Sequence, residues 1–129
     1  MKRIAIVTGA SRGIGREIAK MLAKEDIQVI ANYNNSEKKA IELQEELKKE
    51  NINIDIFKAD ISKREDARKL VEYTLERYKK IDILVNNAGI SEYKMFTEET
   101  DSDWNRVINN NLYSAFVMCQ EVIPNMIHN

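Results

Sequence analysis

The sequence contains few of the residues on which several classes of protein depend. It has one cysteine, Cys119, among 129 residues, which excludes an internal disulfide framework and a zinc site built from several thiolates. We therefore expect no metal site and a reducing, cytoplasmic environment. The single proline, Pro124, falls in a helical pattern, where it is expected to kink or end the helix.

Long apolar runs and an excess of positive charge are also lacking. The apolar run after the first three residues is only Ile4–Val7, whereas a signal peptide needs roughly 7–15 such residues and a membrane-spanning helix about 18. Twenty Lys and Arg against twenty-one Asp and Glu give a net charge of -1, too little positive charge to hold a nucleic-acid backbone. We expect neither a membrane nor a nucleic acid as partner.

Glycine is scarce, and its positions are informative. Gly9, Gly13 and Gly15 lie between an apolar run and a helical pattern, and Gly89 directly follows another apolar run. Both glycine clusters therefore follow predicted strands, at the end of the sheet where open α/β proteins bind their ligands.

Short apolar runs alternate with longer segments of helical periodicity, which indicates an α/β fold with a parallel sheet. The first helix should bury Ile14, Ile18 and Leu22, and a capping box over 62–65 should start the third. One long helix should begin near Asp101. Strands are predicted near residues 3–8, 27–33, 53–59 and 81–86.

The first glycine cluster has the features of an anion site. A glycine turn lets the backbone approach a phosphate, and the helix that follows offers unpaired N–H groups. The spacing Gly-x3-Gly-x-Gly matches neither the Gly-x-Gly-x-x-Gly fingerprint nor a P-loop. A tight strand-to-helix turn without a ligand is the alternative.

Four features together resemble the short-chain dehydrogenase/reductase family. Thr8–Gly15 is similar to its cofactor turn, and Asn86–Gly89 to its Asn-Asn-Ala-Gly signature. Asp60 and Asn111 fall where the family places an adenine-contacting acid and a helix asparagine. Within the family, the sequence is most similar to 3-oxoacyl-acyl-carrier-protein reductases and related sugar dehydrogenases.

The resemblance implies a Rossmann-type, three-layer α/β/α fold in which residues 1–129 form a single NAD(P)-binding domain. This would be the first half, about four strands and four helices, of a doubly wound carbonyl or alcohol oxidoreductase. The residues implied to bind the cofactor are Gly9, Ser11, Arg12, Gly13, Ile14, Gly15, Asn32, Tyr33, Asn34, Asp60, Ile61, Asn87, Ala88 and Gly89.

NADP(H) is favoured as the cofactor, and NAD(H) is the alternative. No acid follows the second strand until Glu37, whereas NAD sites use such an acid to accept the ribose 2′-OH. Arg12 in the glycine turn suits a 2′-phosphate. The alternatives are that Arg12 is merely solvated and that Asn32 or Asn34 serves either cofactor. Ser36 is expected to cap the next helix, although it could also bind the phosphate.

Three further roles follow from the resemblance. Asp60 would receive the adenine amino group beside the Ile61 backbone, unless it only binds loop amides. Asn86 would tie its strand to the neighbouring strands. Asn111 would help to hold a proton-relay water, although without an active-site lysine a local distortion of the helix is the alternative.

The family's catalytic serine, tyrosine and lysine follow the fourth helix. None of Tyr73, Tyr78, Tyr93 and Tyr113 has a lysine four residues later, so Asn111 is the one catalytic family position that we identify. The alternatives to a reductase portion are an inactive nucleotide-binding or regulatory module and a truncated remnant. The fourth strand would have one unpaired edge, which predicts self-association through that strand or the last helix.

Overall fold

Four parallel strands form the centre of the structure, a computed structural model that describes residues 1–128. Their order across the sheet is β3-β2-β1-β4, which confirms the predicted parallel α/β sheet. The first and fourth strands are neighbours, as in a doubly wound fold. The strands are β1 Ile4–Val7, β2 Gln28–Tyr33, β3 Asp55–Lys58 and β4 Ile83–Val85.

Helices cover both faces of the sheet. The α3 and α5 helices pack on one face, where Leu70, Val117 and Met118 are fully buried against β1. The α1 and α2 helices cover the other face with Ala19 and Leu43. The helices are α1 Gly13–Lys24, α2 Glu37–Lys48, α3 Arg64–Tyr78, α4 Asp101–Ile108 and α5 Ser114–His128.

The long helix predicted from Asp101 is divided in two. A π-helical turn, Asn109–Tyr113, separates α4 from α5, and its three asparagines are poor helix formers. Of the two predicted effects of Pro124, a kink or an end of the helix, the end does not occur, because α5 continues to His128. Pro124 is exposed, so water can satisfy the carbonyl group that loses its helical partner.

Two local predictions at helix starts are also wrong. The α3 helix begins at Arg64, one residue later than a Ser62 cap requires, because the Ser62 hydroxyl donates to Asp60 Oδ1 at 2.6 Å. In α1, Ile14 is 75% exposed. The other two predicted residues, Ile18 and Leu22, are half-buried against the core. The fully buried residues of the helix are the small Gly15, Ala19 and Ala23, which let it lie close to the sheet.

A capping box does occur at the start of α4. Thr100 Oγ1 accepts a hydrogen bond from the Asp103 N–H, and Asp103 Oδ2 accepts one from the Thr100 N–H. The Lys94 ammonium, 2.7 Å from Asp103 Oδ2, and the Thr100 bonds hold the pKa of this carboxyl well below its usual range. This ion pair fastens the exposed segment 91–100 to α4.

Between residues 1 and 128, no helix combines the length and the apolar character that crossing a membrane requires.

The fold predicts different effects for two apolar truncations. Leu70→Ala removes a fully buried side chain from the α3 face and should lower the free energy of unfolding by about 2–5 kcal/mol. The control Met21→Ala, on a side chain that is 69% exposed, should change it by no more than about 0.5 kcal/mol. Urea denaturation measures both, and equal effects would contradict this core assignment.

Candidate functional site

A cavity of about 420 Å³ opens at the carboxyl ends of the strands. Its walls come from the β1–α1 turn, the loops after β2 and β3, and the segment after β4. Four of its lining residues had no predicted cofactor role, namely Asn35, Ala59, Ile90 and Asn110. Ser36, which was considered as a phosphate ligand besides its role as a cap, also lines the cavity. The predicted residues that line it are Gly9, Ser11, Arg12, Gly13, Asn32, Tyr33, Asn34, Asp60, Ile61, Asn87, Ala88 and Gly89.

Two predicted cofactor residues, Ile14 and Gly15, are not part of the cavity wall. Gly15 is buried, and a Cβ atom there would collide with Gly9 O and the Asn87 side-chain nitrogen. Gly15 therefore serves close packing, a role that spacing alone did not distinguish from ligand contact. The exposed Ile14 lies in the first turn of α1, beside the mouth of the site.

The β1–α1 turn lies directly against the segment after β4. Gly9 has φ +61°, and a Cβ atom built on it would be 2.8 Å from Ala88 Cα. Only glycine allows both this backbone conformation and this approach. Gly13 has the same φ of +61°, but no heavy atom lies within 4 Å of its Cβ position. The two glycines therefore share the same positive φ and differ in crowding.

Thr8 and Asn87 connect the same two segments by hydrogen bonds. The fully buried Thr8 accepts bonds at Oγ1 from the N–H groups of Asn87 and Ala88, both at 3.0 Å. Asn87 Nδ2 donates to the carbonyls of Thr8 and Gly9 at 3.2 and 3.0 Å. Thr8 belongs to the glycine motif but was not predicted as a site residue. Its hydroxyl at the end of the first strand could have indicated this role.

The predicted tie by Asn86 is therefore wrong, because its neighbour Asn87 has that role. The Asn87 N–H donates to Val85 O at 3.1 Å, so the chain turns as it leaves β4 and presents Asn87 to β1. Asn86 is exposed, and its side chain donates to Cys119 Sγ at 3.4 Å.

Asn32 is a structural part of the cavity wall. It is 2% exposed; its Nδ2 donates to Ala59 O at 3.1 Å and its Oδ1 accepts from the Gly9 N–H at 3.3 Å. These bonds join the ends of three strands and occupy both sides of the amide. Asn34, by contrast, is exposed at the rim, so of Asn32 and Asn34 it is the one with a side chain available to a ligand.

The loop after β3 supplies an acid whose two oxygens differ. Asp60 Oδ1 accepts bonds from the Ser62 N–H and hydroxyl, at 3.1 and 2.6 Å. No donor within residues 1–128 bonds Oδ2. Asp60 can therefore bind the loop through Oδ1 and still offer Oδ2 to a ligand. Ile61 is 6% exposed and belongs to the core beneath the loop.

Positive charge and hydroxyl groups line the same cavity. Arg12, exposed just before α1, forms no ion pair with any residue in the described part of the chain. Ser36 is the N-cap residue of α2, as predicted, but its side chain makes no capping bond. Burial and the neighbouring Glu37 raise the pKa of Tyr33, so this lining phenol is neutral at ordinary pH.

Asn111 does not line the cavity but fixes part of its wall. Its Oδ1 accepts the Ile90 N–H at 2.6 Å and its Nδ2 donates to Ile90 O at 2.9 Å. A Cβ on Gly89 would be 2.7 Å from Asn111 Oδ1. The sequence offered a local helix distortion as the alternative role of Asn111, and the π-helical turn is that distortion. In this structure Asn111 also holds Ile90 in place.

Within residues 1–128, no three His, Cys, Asp or Glu side chains are grouped so that they could hold a metal ion.

The chain is similar in sequence to known proteins of one family. The family model described as short chain dehydrogenase matches residues 3–129. A 3-oxoacyl-[acyl-carrier-protein] reductase, FabG, of Staphylococcus epidermidis is 36% identical over 127 residues, covering 98% of this chain and 52% of the relative. The chain therefore spans about half the length of the curated relatives it matches.

Solved structures show the same correspondence. A mutant short-chain dehydrogenase/reductase of Serratia marcescens superimposes with a TM-score of 0.91 at 31% identity, covering 96% of this chain and 51% of that one. A blue fluorescent protein from a metagenomic library, solved in complex with NADPH, gives 0.89 at 32% identity, again with 96% and 51% coverage.

Alanine substitutions at Gly9 and Gly13 test the close approach of the β1–α1 turn to the segment after β4. Gly13→Ala should cost about 1–2 kcal/mol of stability from its positive φ alone. Gly9→Ala adds a collision with Ala88 and should cost a further 1–3 kcal/mol, roughly the cost of overpacking. Thermal or urea unfolding of both variants measures the difference, and equal losses would contradict the close approach of the two segments.

Proposed function

Because the chain belongs to the short-chain dehydrogenase family, we propose that residues 1–129 form one dinucleotide-binding domain that holds NADP(H). This domain would be the cofactor-binding portion of a carbonyl or alcohol oxidoreductase similar to 3-oxoacyl-acyl-carrier-protein reductases. The observation that carries the proposal is the glycine turn, which leaves backbone and not side chain at the floor of the cavity.

The diphosphate would lie on the turn before α1. The first N–H groups of that helix have no helical partner, and the positive end of the helix dipole favours an anion. Ser11, Arg12 and Gly13 line the cavity there, and the turn contains no carboxylate. The residues therefore fit a phosphate group without an opposing charge.

The adenosine would lie between the loops after β2 and β3. Asp60 Oδ2 can accept a bond from the adenine amino group while Oδ1 holds Ser62. Arg12, Asn34 and Ser36 would surround the 2′ position. A guanidinium next to neutral groups favours a 2′-phosphate, so NADP(H) is the preferred cofactor and NAD(H) the alternative.

When bound, the cofactor would supply a hydride to a carbonyl carbon or accept one from an alcohol. The chain's own residues would bind and orient it, with Asn111 holding the wall at Ile90. A tyrosine with a lysine four residues later does not occur in these 129 residues. A nucleotide-binding module without turnover is therefore the second candidate function.

Two further parts of the proposal concern the setting of the protein. We place it in the cytoplasm because its single cysteine, Cys119, requires no oxidising environment. We also propose that it associates with itself through β4 or its last helix, because β4 pairs only with β1 within the described residues.

Calorimetric titration tests the cofactor assignment. NADPH and adenosine 2′,5′-bisphosphate should bind, and NADH more weakly. Arg12→Met should weaken NADPH binding by about 10–100-fold, the value of a hydrogen bond to a charged group. It should leave NADH binding nearly unchanged. Arg3→Met, also exposed, is the matched control. Equal affinity for NADPH and NADH would contradict the NADP(H) preference, and no binding of either would contradict the site.

A carbonyl-reduction assay tests the separation of binding from chemistry. With NADPH and a 3-oxoacyl thioester, these 129 residues should bind the cofactor without oxidising it, because no tyrosine is followed by a suitably placed lysine. Absorbance of NADPH at saturating concentration measures turnover. Sustained turnover that is lost in a Gly9→Ala variant would show that other residues perform the chemistry.

A further inference from the structure

Two arginines at the start of α1 have different surroundings. Arg12 is exposed just before the helix and forms no ion pair with a residue of the described range 1–128. The side chain of Arg16, four residues later, is 24% exposed and is bound to α2. It pairs with the Glu46 carboxylate, and its Nη1 donates to Lys39 O at 3.4 Å. Of these two guanidinium groups, Arg12 is therefore the one available to a ligand.

Arg16 contacts α2 close to the cavity. Lys39 lies in the first turn of that helix, three residues after Ser36, which is the N-cap residue and lines the cavity. The Ser36 side chain makes no capping bond. Residues 37–39 are exposed, and the first side chain of α2 that is buried in the core is Ala40. The bond from α1 therefore holds a turn that has neither a side-chain cap nor a buried residue of its own.

The backbone of Arg16 is itself fixed in place. Arg16 directly follows the buried Gly15, where a Cβ atom would collide with the carbonyl oxygen of Gly9. The Arg16 N–H donates to Arg12 O at 3.3 Å. Arg16 thus connects Arg12, through its backbone, with the turn that follows Ser36, through its side chain.

We propose that Arg16 is a positioning residue for the 2′-phosphate of NADP(H) and that it acts through α2. By holding the first turn of that helix, it keeps Ser36 and Arg12 at a fixed separation, so that both can contact one phosphate. Groups that are held in place before the ligand arrives lose less freedom on binding, which favours affinity. The inference deepens the proposed function and rests on its choice of NADP(H).

Glu46 distinguishes this positioning from a simple effect of positive charge. Its carboxylate pairs with Arg16 and with Lys20, the latter at 2.9 Å. The hydrogen bond from Lys20 and the charges of Lys20 and Arg16 lower the pKa of this carboxyl, so it is ionised at neutral pH. Its negative charge opposes an anionic ligand, but its bond to Arg16 helps to hold α2. Removing that charge therefore has opposite effects on NADPH binding in the two cases.

Calorimetric titration of variants with NADPH and NADH tests the inference. Arg16→Met should weaken NADPH binding by about three- to tenfold, the value of one hydrogen bond, and leave NADH binding nearly unchanged. Glu46→Gln should also weaken NADPH binding, although the loss of a negative charge alone would strengthen it. Arg16→Lys should restore part of the affinity, because an ammonium group lacks the planar fork that reaches two acceptors.

Lys24→Met is the matched control. Lys24 and Glu50 join the same two helices at 3.8 Å, at the ends that lie away from Ser36. The variant should therefore leave the affinities for NADPH and NADH unchanged. Stronger NADPH binding by Glu46→Gln would overturn the inference. Equal changes of the NADPH-to-NADH affinity ratio in Arg16→Met and Lys24→Met would also overturn it.

Hydrogen exchange without a ligand separates this inference from the cofactor assignment. The Ala40 N–H donates to Ser36 O at 3.0 Å and closes the first turn of α2. It should exchange about three- to tenfold faster in Arg16→Met than in the wild type or in Lys24→Met. Unchanged exchange in Arg16→Met, with normal NADPH binding by the wild type, would overturn this inference alone. Absence of NADPH binding by the wild type would overturn the proposed function and this inference with it.

Discussion

The site depends on the contact between the glycine turn after β1 and the segment after β4. Gly9 and Gly15 allow the two backbones to approach, because a Cβ atom on either one would collide with the other segment or with the turn itself. Thr8 and Asn87 hold the approach with hydrogen bonds between buried or half-buried groups. This contact sets the floor of the cavity and exposes the start of α1 to a ligand.

The other walls are built in the same way, from polar groups that link strand ends to one another. Asn32 joins β2 to the glycine turn and to the loop after β3. Asn111, from the π-helical turn, holds Ile90. These amides fix the cavity before any ligand arrives, and preorganised groups of this kind lower the cost of binding. Arg12 and Asp60 Oδ2 are left to contact a ligand.

Much of this was predictable from the sequence, because strand ends and glycine spacing are local signals. The parallel sheet and most of the cavity lining follow from them. The role of each residue within the site could not be predicted in the same way. Gly15 packs against the segment after β4 and does not line the cavity. Asn87, and not Asn86, links that segment to β1. Which of two adjacent asparagines turns inward depends on how the chain leaves the strand. The predicted cap of α3 at Ser62 was also wrong, because the Ser62 hydroxyl bonds to Asp60 and does not cap the helix.

The central claim is that the glycine turn and the segment after β4 together form a phosphate-binding cradle. Titration of the ¹⁵N-labelled chain with NADPH, followed by amide chemical shifts, tests it most directly. The account predicts saturable shifts concentrated at Ser11–Gly15 and Asn87–Gly89, with smaller shifts around Asp60. Unchanged amides in the turn, with saturable shifts elsewhere on the sheet or helices, would contradict it.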